Sequence, residues 1–442
     1  MTYPRIYNAA ADMVDRHVSA GRAAKAAFID PNESLSYGEL KARSSRMANL
    51  LATYGIPRES RVALLLLDTV DFPVAFWGAI KAGIVPVCLN TLLNAQQYAY
   101  MLADSRAKAL IVSAQLLPAV QPILGQLPFL RQVFVAGGEP PAFALSLRGE
   151  LGFQRTEAEL ADTCADETAF WLYSSGSTGN PKGVRHVHSS PMETARLTGQ
   201  DCLGMREDDV VYSAAKLFFA YGLGNGMTFP LSVGATAVLR PERPTPELVF
   251  ATLKQHQPTF FFGVPTLYAA MLADPQGTPE NSSQRLRVCV SAGEALPAEV
   301  GKAFRARFRV DILDGVGSTE MLHQYVCNSP GALKYGTSGR AVGGYEIRLV
   351  DENGNDVPDG EVGEMVVKGP SAAEGYWNQR EKSRSTFQGA WTRSGDKYIR
   401  DADGFYTYQG RTDDMFKVSG IWVSPFEVES ALVGHEAVLE AA

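Results

Sequence analysis

AFWLYSSGSTGNPKGVRHVH, residues 169–188, sets the reading of the whole chain. Residues 169–173 are a short apolar run of the kind that forms a buried strand. Ser174, Ser175, Ser177 and Thr178 then supply four hydroxyls, interleaved with Gly176 and Gly179. Glycine allows close backbone approach and positive φ, so such a loop can turn N–H groups and hydroxyls onto one anion. Asn180-Pro181 breaks the backbone, and Lys182 adds a mobile positive charge. A phosphate-gripping loop is the expectation, and a solvent-exposed turn of small polar residues is the alternative. A Walker A loop is excluded, because that motif needs Gly-Lys-Ser/Thr opening a helix. Gly183, Val184 and Arg185 follow the lysine and read as strand, so the loop should close a hairpin.

At 442 residues the chain is too long for one ordinary core, and two or three subdomains are expected. The net charge is −7, which does not suggest a nucleic-acid or anionic-membrane partner. An anionic ligand would therefore need a local positive site. The five cysteines (Cys88, Cys164, Cys202, Cys289 and Cys327) are scattered and form no C-x-x-C pair. That pattern favours reduced thiols and a cytoplasmic setting over a disulfide or zinc framework. No signal-peptide pattern opens the chain, and residues 62–67 are far too short to span a bilayer.

Outward from the loop, Ser36-x-x-Glu39 reads as a capping box opening a helix to about Tyr54. Strands at 61–67, 85–89, 107–112 and 133–135 alternate with helices at 71–81 and about 95–102. Such alternation indicates a parallel sheet with right-handed crossovers. A second alternating run follows the loop, with strands at 210–214, 236–239, 259–263, 288–291 and 310–313. Two of these lead into AGEAL (292–296) and DGVGSTE (314–320). Ligands of open α/β sheets bind beyond the carboxyl ends of strands, so these loops can converge on one crevice. From Tyr345 the pattern changes to short alternating strands with turns at Asn353-Gly354 and Asp403-Gly404. The expected fold is α/β: two doubly wound, mostly parallel sheets plus a small β subdomain, then the start of a small α+β domain. The expected divisions are 1–165, 166–344, 345–410 and 411–442.

The motifs SSGSTGNPKG, GVPTLY (263–268), AGEAL, DGVGSTE, RSGD (393–396) and GRTDDMFKVSG (410–420) occur in that order. In this order they resemble the acyl-adenylate-forming superfamily of acyl-CoA synthetases, luciferases and adenylation domains. Residues 64–83, 216–226 and 318–323 are similar to aromatic-acid CoA ligases, in particular benzoate–CoA ligases. Fatty-acyl and coumarate-type relatives commonly carry a histidine where Ala220 stands, so the pocket entrance is reshaped, with Phe219 and Tyr221 as aromatic walls.

The resemblance implies ATP, Mg²⁺, coenzyme A and a small aromatic carboxylate as ligands. Glu320 and Thr178 would hold Mg²⁺, with Thr319 beside them, because carboxylate, phosphate oxygens and water make the usual magnesium shell. Thr178, Thr319 and Lys182 would hold the phosphates with the hydroxyls and glycines of 174–179. Gly293, Glu294 and Ala295, with Asp314 and Gly315, would enclose adenine. Asp396 would accept from the ribose hydroxyls. Arg411 would fork to ribose and α-phosphate, or form a surface ion pair with Asp413 or Asp414. Ala220, Tyr221, Gly222, Val316, Gly317 and His323 would line the acyl pocket. His323 would orient the carboxylate or cap the ring, or serve structure alone. His186 and His188 find no third metal ligand and read as strand residues.

The implied reaction forms an acyl-adenylate with release of pyrophosphate, then a CoA thioester with release of AMP. Neither half requires a side-chain nucleophile. Asp413 would be the hinge of a rotating C-terminal domain, with Lys417, Ser419 and Gly420 beside the thiol tunnel. Family members carry roughly a hundred further residues, a number typical of a small domain, and among them the adenylation lysine. Without that lysine the chain is expected to bind ATP and adenylate but adenylate slowly, by about 10²–10³. The alternatives are an aryl adenylation domain that loads a carrier-protein thiol, or a silent binding module. Oligomeric state stays open in the sequence, a homodimer among the choices.

Overall fold

The computed structural model describes residues 3–174 and 180–412, and the backbone alone of 416–418 and 421–423. Ser175, Gly176, Ser177, Thr178, Gly179, Asp413, Ser419 and Gly420 lie outside the described residues. Two large sheets dominate. The first runs, in spatial order, Gly375–Tyr376, Lys182–Val187, Thr168–Ser174, Val85–Cys88, Arg61–Leu65, Ala109–Ser113, Gln132–Ala136 and Leu145–Ser146. It is parallel from Thr168–Ser174 onward, and helices Asp71–Lys81 and Ala95–Asp104 make two of the crossovers that parallel pairing demands. Its other end is antiparallel.

The second sheet runs Arg340–Ala341, Gln324–Cys327, Ile312–Gly317, Val288–Ser291, Phe260–Gly263, Val210–Ser213, Thr236–Val238, Ala26–Ile29 and Ser34–Ser36. Its middle, from Ile312–Gly317 to Ala26–Ile29, is parallel. Sheet membership crosses the division expected at 165/166. The N-terminal strand Ala26–Ile29 pairs with Thr236–Val238, while the phosphate-loop strands belong to the first sheet. Hydrogen bonding between distant segments decides membership, and sequence order does not encode it.

Helix Tyr37–Thr53 begins as expected: the Ser36 hydroxyl accepts from Glu39 N–H at 3.2 Å, and Glu39 accepts from Ser36 N–H at 2.8 Å. It packs on helix Asp71–Lys81, whose Phe72, Phe76 and Trp77 are fully buried. These helices share one core with the facing sides of both sheets, through Phe28 and Phe262 on one and Leu64 and Phe170 on the other. Each sheet's opposite face has its own cluster, Leu65 and Val87 in one and Tyr212 and Phe261 in the other.

The third sheet is antiparallel and small: Glu346–Val350, Val362–Lys368 and Trp391–Arg400, with Phe387–Gln388 and Tyr406–Arg411 also paired to the last. Gly354 and Gly404 take φ of 84° and 81° in its turns, as the Asn-Gly and Asp-Gly pairs predict. Phe416–Val418 and Ile421–Val423 form a separate antiparallel pair that contains Lys417. None of the described helices is long and apolar enough to cross a membrane.

Candidate active site

The hairpin read from the sequence forms. Thr168–Ser174 pairs with Lys182–Val187, and Ser174 stands opposite Lys182 at the end where the chain turns. The strand aims the Lys182 ammonium over the Tyr376 ring, 4.5 Å from its centroid and 3.5 Å from its hydroxyl. Tyr376 donates in turn to Glu320 Oε1 at 2.8 Å. Burial lowers the Lys182 pKa; Glu320 acts against that shift, and the positive Lys382 and Arg411 add to it. An acidic chain thus gathers the cations Lys382 and Arg411, with the Glu320 carboxylate, around Lys182, a local charged site suited to phosphates.

Glu320 sits on a single 3₁₀ turn, Thr319–Met321, started by the Ser318 hydroxyl accepting from Met321 N–H at 3.2 Å. The turn ends at Leu322 with φ of 67°, so His323 precedes a strand and is not helical. Among the described residues no three His, Cys, Asp or Glu side chains gather to hold a metal. A lone carboxylate beside a phosphate site fits Mg²⁺, which keeps water and substrate oxygens in its shell, and does not fit zinc. His186 is fully buried and stacks on Phe170 at 5.1 Å, and His188 Nδ1 accepts from Ala9 N–H at 3.1 Å. His186 lies in the strand as expected, whereas His188 falls in the turn just after it.

Antiparallel register sets Asp396 opposite Arg411, with Nη1 3.5 Å from Oδ1. Arg411 therefore pairs with a ligand candidate. Burial raises the Asp396 pKa to about 6, Arg411 opposes the rise, and Glu320 and Glu364 add to it. Gly395, with φ of 77°, lets the guanidinium come within 3.2 Å of where a Cβ would stand.

A cavity of about 770 Å³ opens beside this cluster, within the usual range for a small-molecule site. Ala220, Tyr221, Gly317 and His323 line it, as do Gly293 and Thr319. Gly222 and Val316 do not: Gly222 lies against the Lys216 carbonyl, where a Cβ would fall 2.0 Å from the oxygen, and Val316 packs on the core. The Tyr221 hydroxyl donates to Val290 O at 3.1 Å, fixing its ring as a wall. His323 Nε2 lies 3.0 Å from Asn225 Oδ1, and burial lowers its pKa to about 3, so the ring is neutral. Gly293, with φ of 97°, has no atom nearer than 4.0 Å to a Cβ position, which leaves an open wall. Glu294 is exposed and Ala295 half-buried, both off the cavity. The Asp314 side chain is buried, and burial holds its pKa well above the ordinary range. Gly315 faces the Gln324 amide, 2.4 Å from a Cβ position.

This arrangement matches known proteins. The sequence pattern of AMP-binding enzymes fits residues 15–377. The chain belongs to the AMP-binding enzyme family. It is 59% identical over 438 residues to the 4-hydroxybenzoate–CoA/benzoate–CoA ligase of Rhodopseudomonas palustris, covering 99% of this chain and 81% of that one. It is 55% identical over 441 residues to the benzoate–CoA ligase of Thauera aromatica, covering 99% and 83%. Among solved structures, an anthranilate CoA ligase in complex with anthranoyl-AMP superposes with a TM-score of 0.96 at 42% identity, covering 99% and 84%. A benzoate CoA ligase from Burkholderia xenovorans LB400 gives 0.92 at 51%, covering 98% and 85%.

For an AMP-binding enzyme, two residues escaped the sequence reading. Tyr376 and Lys382 carry no motif, and only the fold brings their segment to Glu320. The Gly375-Tyr376-Trp377 triplet was the available signal, since an aromatic pair after glycine in a polar stretch needs a packing reason.

Proposed function

We propose that this chain is an ATP-dependent aromatic carboxylate–CoA ligase acting on benzoate or a close analogue. The observation that carries it is the 59% and 55% identity, over nearly the whole chain, to ligases named for benzoate. In the first half, a carboxylate oxygen of the acid attacks the α-phosphorus of ATP. The bond to pyrophosphate breaks, leaving an acyl-adenylate. In the second, the coenzyme A sulfur attacks the acyl carbon, loses its proton and displaces AMP.

In this reading Lys182, Thr319 and the hydroxyls and glycines of 174–179, Thr178 among them, grip the phosphates. Glu320 with Thr178 holds Mg²⁺, which when bound screens phosphate charge and orients its oxygens. Asp396 accepts from the ribose, Arg411 forks to ribose and α-phosphate, and Gly293, Glu294, Ala295, Asp314 and Gly315 enclose adenine. The apolar cavity with Ala220, Tyr221, Gly317 and His323 takes the ring, behind Gly222 and Val316. Asp413 is the hinge, and Lys417, Ser419 and Gly420 flank the thiol path. Support for these roles is the proximity of the charges: Glu320 and Arg411 act on Lys182, and Arg411 and Glu320 act on Asp396. A cytoplasmic setting and a homodimer complete the proposal; the five free cysteines support the first, and sedimentation tests the second.

The deciding assay measures AMP release with benzoate and coenzyme A, against acetate and against a phosphopantetheinylated carrier protein. Benzoate- and CoA-dependent AMP release is expected. Turnover with carrier but not with CoA would move the chain to the aryl adenylation class.

A further inference from the structure

One segment, residues 371–377, touches both halves of the phosphate and metal cluster. On one side it clamps the turn that bears Glu320. Ser371 Oγ donates to Met321 O at 2.7 Å, Ala373 N–H to Glu320 O at 2.8 Å, and Tyr376 O–H to the Glu320 carboxylate at 2.8 Å. On the other side it extends the strand that bears Lys182. Glu374 N–H donates to Arg185 O at 3.0 Å, Trp377 N–H to Gly183 O at 2.8 Å, and Gly375–Tyr376 pairs with Val184 and Arg185. Trp377 anchors the far end, donating from Nε1 to Asp104 O at 2.9 Å and packing 4.9 Å from the Trp171 ring.

Between the two sides stands the Tyr376 side chain, almost wholly buried. Its ring face takes the Lys182 ammonium and its hydroxyl takes the Glu320 carboxylate. No ion pair joins Lys182 to Glu320 among the described residues, although the Glu320 charge reaches Lys182 and opposes the lowering of its pKa. A direct pair would neutralise both groups and would have to be broken before either met a phosphate or a divalent cation. Cation–π contact and one charge-assisted hydrogen bond satisfy them separately and keep them apart.

We propose that Tyr376 is a positioning residue for the Mg·ATP site, a spacer that fixes the Glu320 carboxylate and holds the Lys182 ammonium away from it. The inference rests on the ligase reading above. Two variants separate its parts. Tyr376→Phe keeps the ring and loses the hydrogen bond; Tyr376→Leu loses both and frees Lys182 to pair with Glu320.

The test is calorimetric binding of ATP, with and without Mg²⁺, and of a metal-free benzoyl-adenylate mimic, to the purified protein and both variants. A hydrogen bond to a charged group is worth about tenfold or more. Tyr376→Phe should therefore weaken Mg·ATP about tenfold more than it weakens the mimic, and Tyr376→Leu should widen that gap. In kinetics the KM for ATP should rise while the KM for benzoate moves little. Equal losses for both ligands would mean a merely structural role, and no loss would mean no role; either overturns the proposal. Thermal unfolding checks the fold, and the phenylalanine variant decides alone if the leucine variant does not fold. Failure of the unsubstituted protein to bind either ligand would instead sink the ligase reading.

Discussion

Asp396 carries a carboxyl raised to about 6 by burial, with Arg411 pulling against the rise and Glu320 adding to it. To accept from ribose hydroxyls it must be ionised, so binding of a benzoyl-adenylate mimic without a titrating phosphate should weaken as pH falls through about 6. Calorimetry between pH 5 and 8 checks this. Glu320→Gln removes a negative neighbour, so the midpoint should move to lower pH in that variant. Stability has the opposite sign. The folded pKa lies above the ordinary aspartate value of 3.8, so the folded state binds the proton more tightly than the unfolded one. The cost to folding is absent below about pH 4, grows as pH rises towards 6 and is complete above it. Asp396→Asn should therefore raise stability at pH 7 by on the order of 1–3 kcal/mol while weakening adenylate binding, and the gain should vanish in melts near pH 4. At this scale the sequence was informative for Lys182, Glu320, Asp396 and Arg411, which sit in recognisable motifs. Tyr376 was hard to read, because beyond the hint of its Gly-Tyr-Trp triplet its place comes from pairing with Val184, about 190 positions away, which no local pattern announces.

Among the elements, the helices Tyr37–Thr53 and Asp71–Lys81 approach until a Cβ on Gly78 would stand 2.4 Å from Met47 Cβ and 2.9 Å from Ser44 O. Gly78→Ala must push the two backbones apart, and a loss of about 1–3 kcal/mol is expected in denaturant titration. The Ser36–Glu39 cap and the phosphate-loop hairpin were legible because their chemistry is local: one hydroxyl with one carboxylate, and a strand on each side of a glycine-rich turn. The segment after Val210–Ser213 was less so. Residues 220–233 fold as helix Ala220–Leu223, π-turn Gly224–Thr228 and helix Phe229–Val233, and Gly224 there lies against His323, 2.3 Å from a Cβ position. Gly224→Ala should displace the His323 ring and raise the KM for benzoate severalfold with little change in the KM for ATP. Steady-state kinetics with each substrate varied in turn checks that split.

Across the whole molecule, two sheets share one core, and the cavity opens among segments that follow their strands. Alternating strands and helices announced both sheets. They could not announce that Ala26–Ile29 joins the second or that the phosphate-loop strands join the first, because those pairings span some two hundred residues in one case and about eighty in the other. The cavity draws its walls from segments beyond strands of both sheets, with Leu67 after Arg61–Leu65, Val264 after Phe260–Gly263 and Tyr221 on helix Ala220–Leu223, so its apolar character emerges only at this scale. The central claim is that this cavity accepts an aromatic acyl group joined to AMP. The most direct test is calorimetric binding of a non-hydrolysable benzoyl-adenylate mimic against its acetyl counterpart. Burying the ring is worth about 1.5–3 kcal/mol, so the benzoyl mimic should bind about ten- to a hundredfold more tightly. Equal affinity would contradict the aromatic pocket, and no binding of either would contradict the account as a whole.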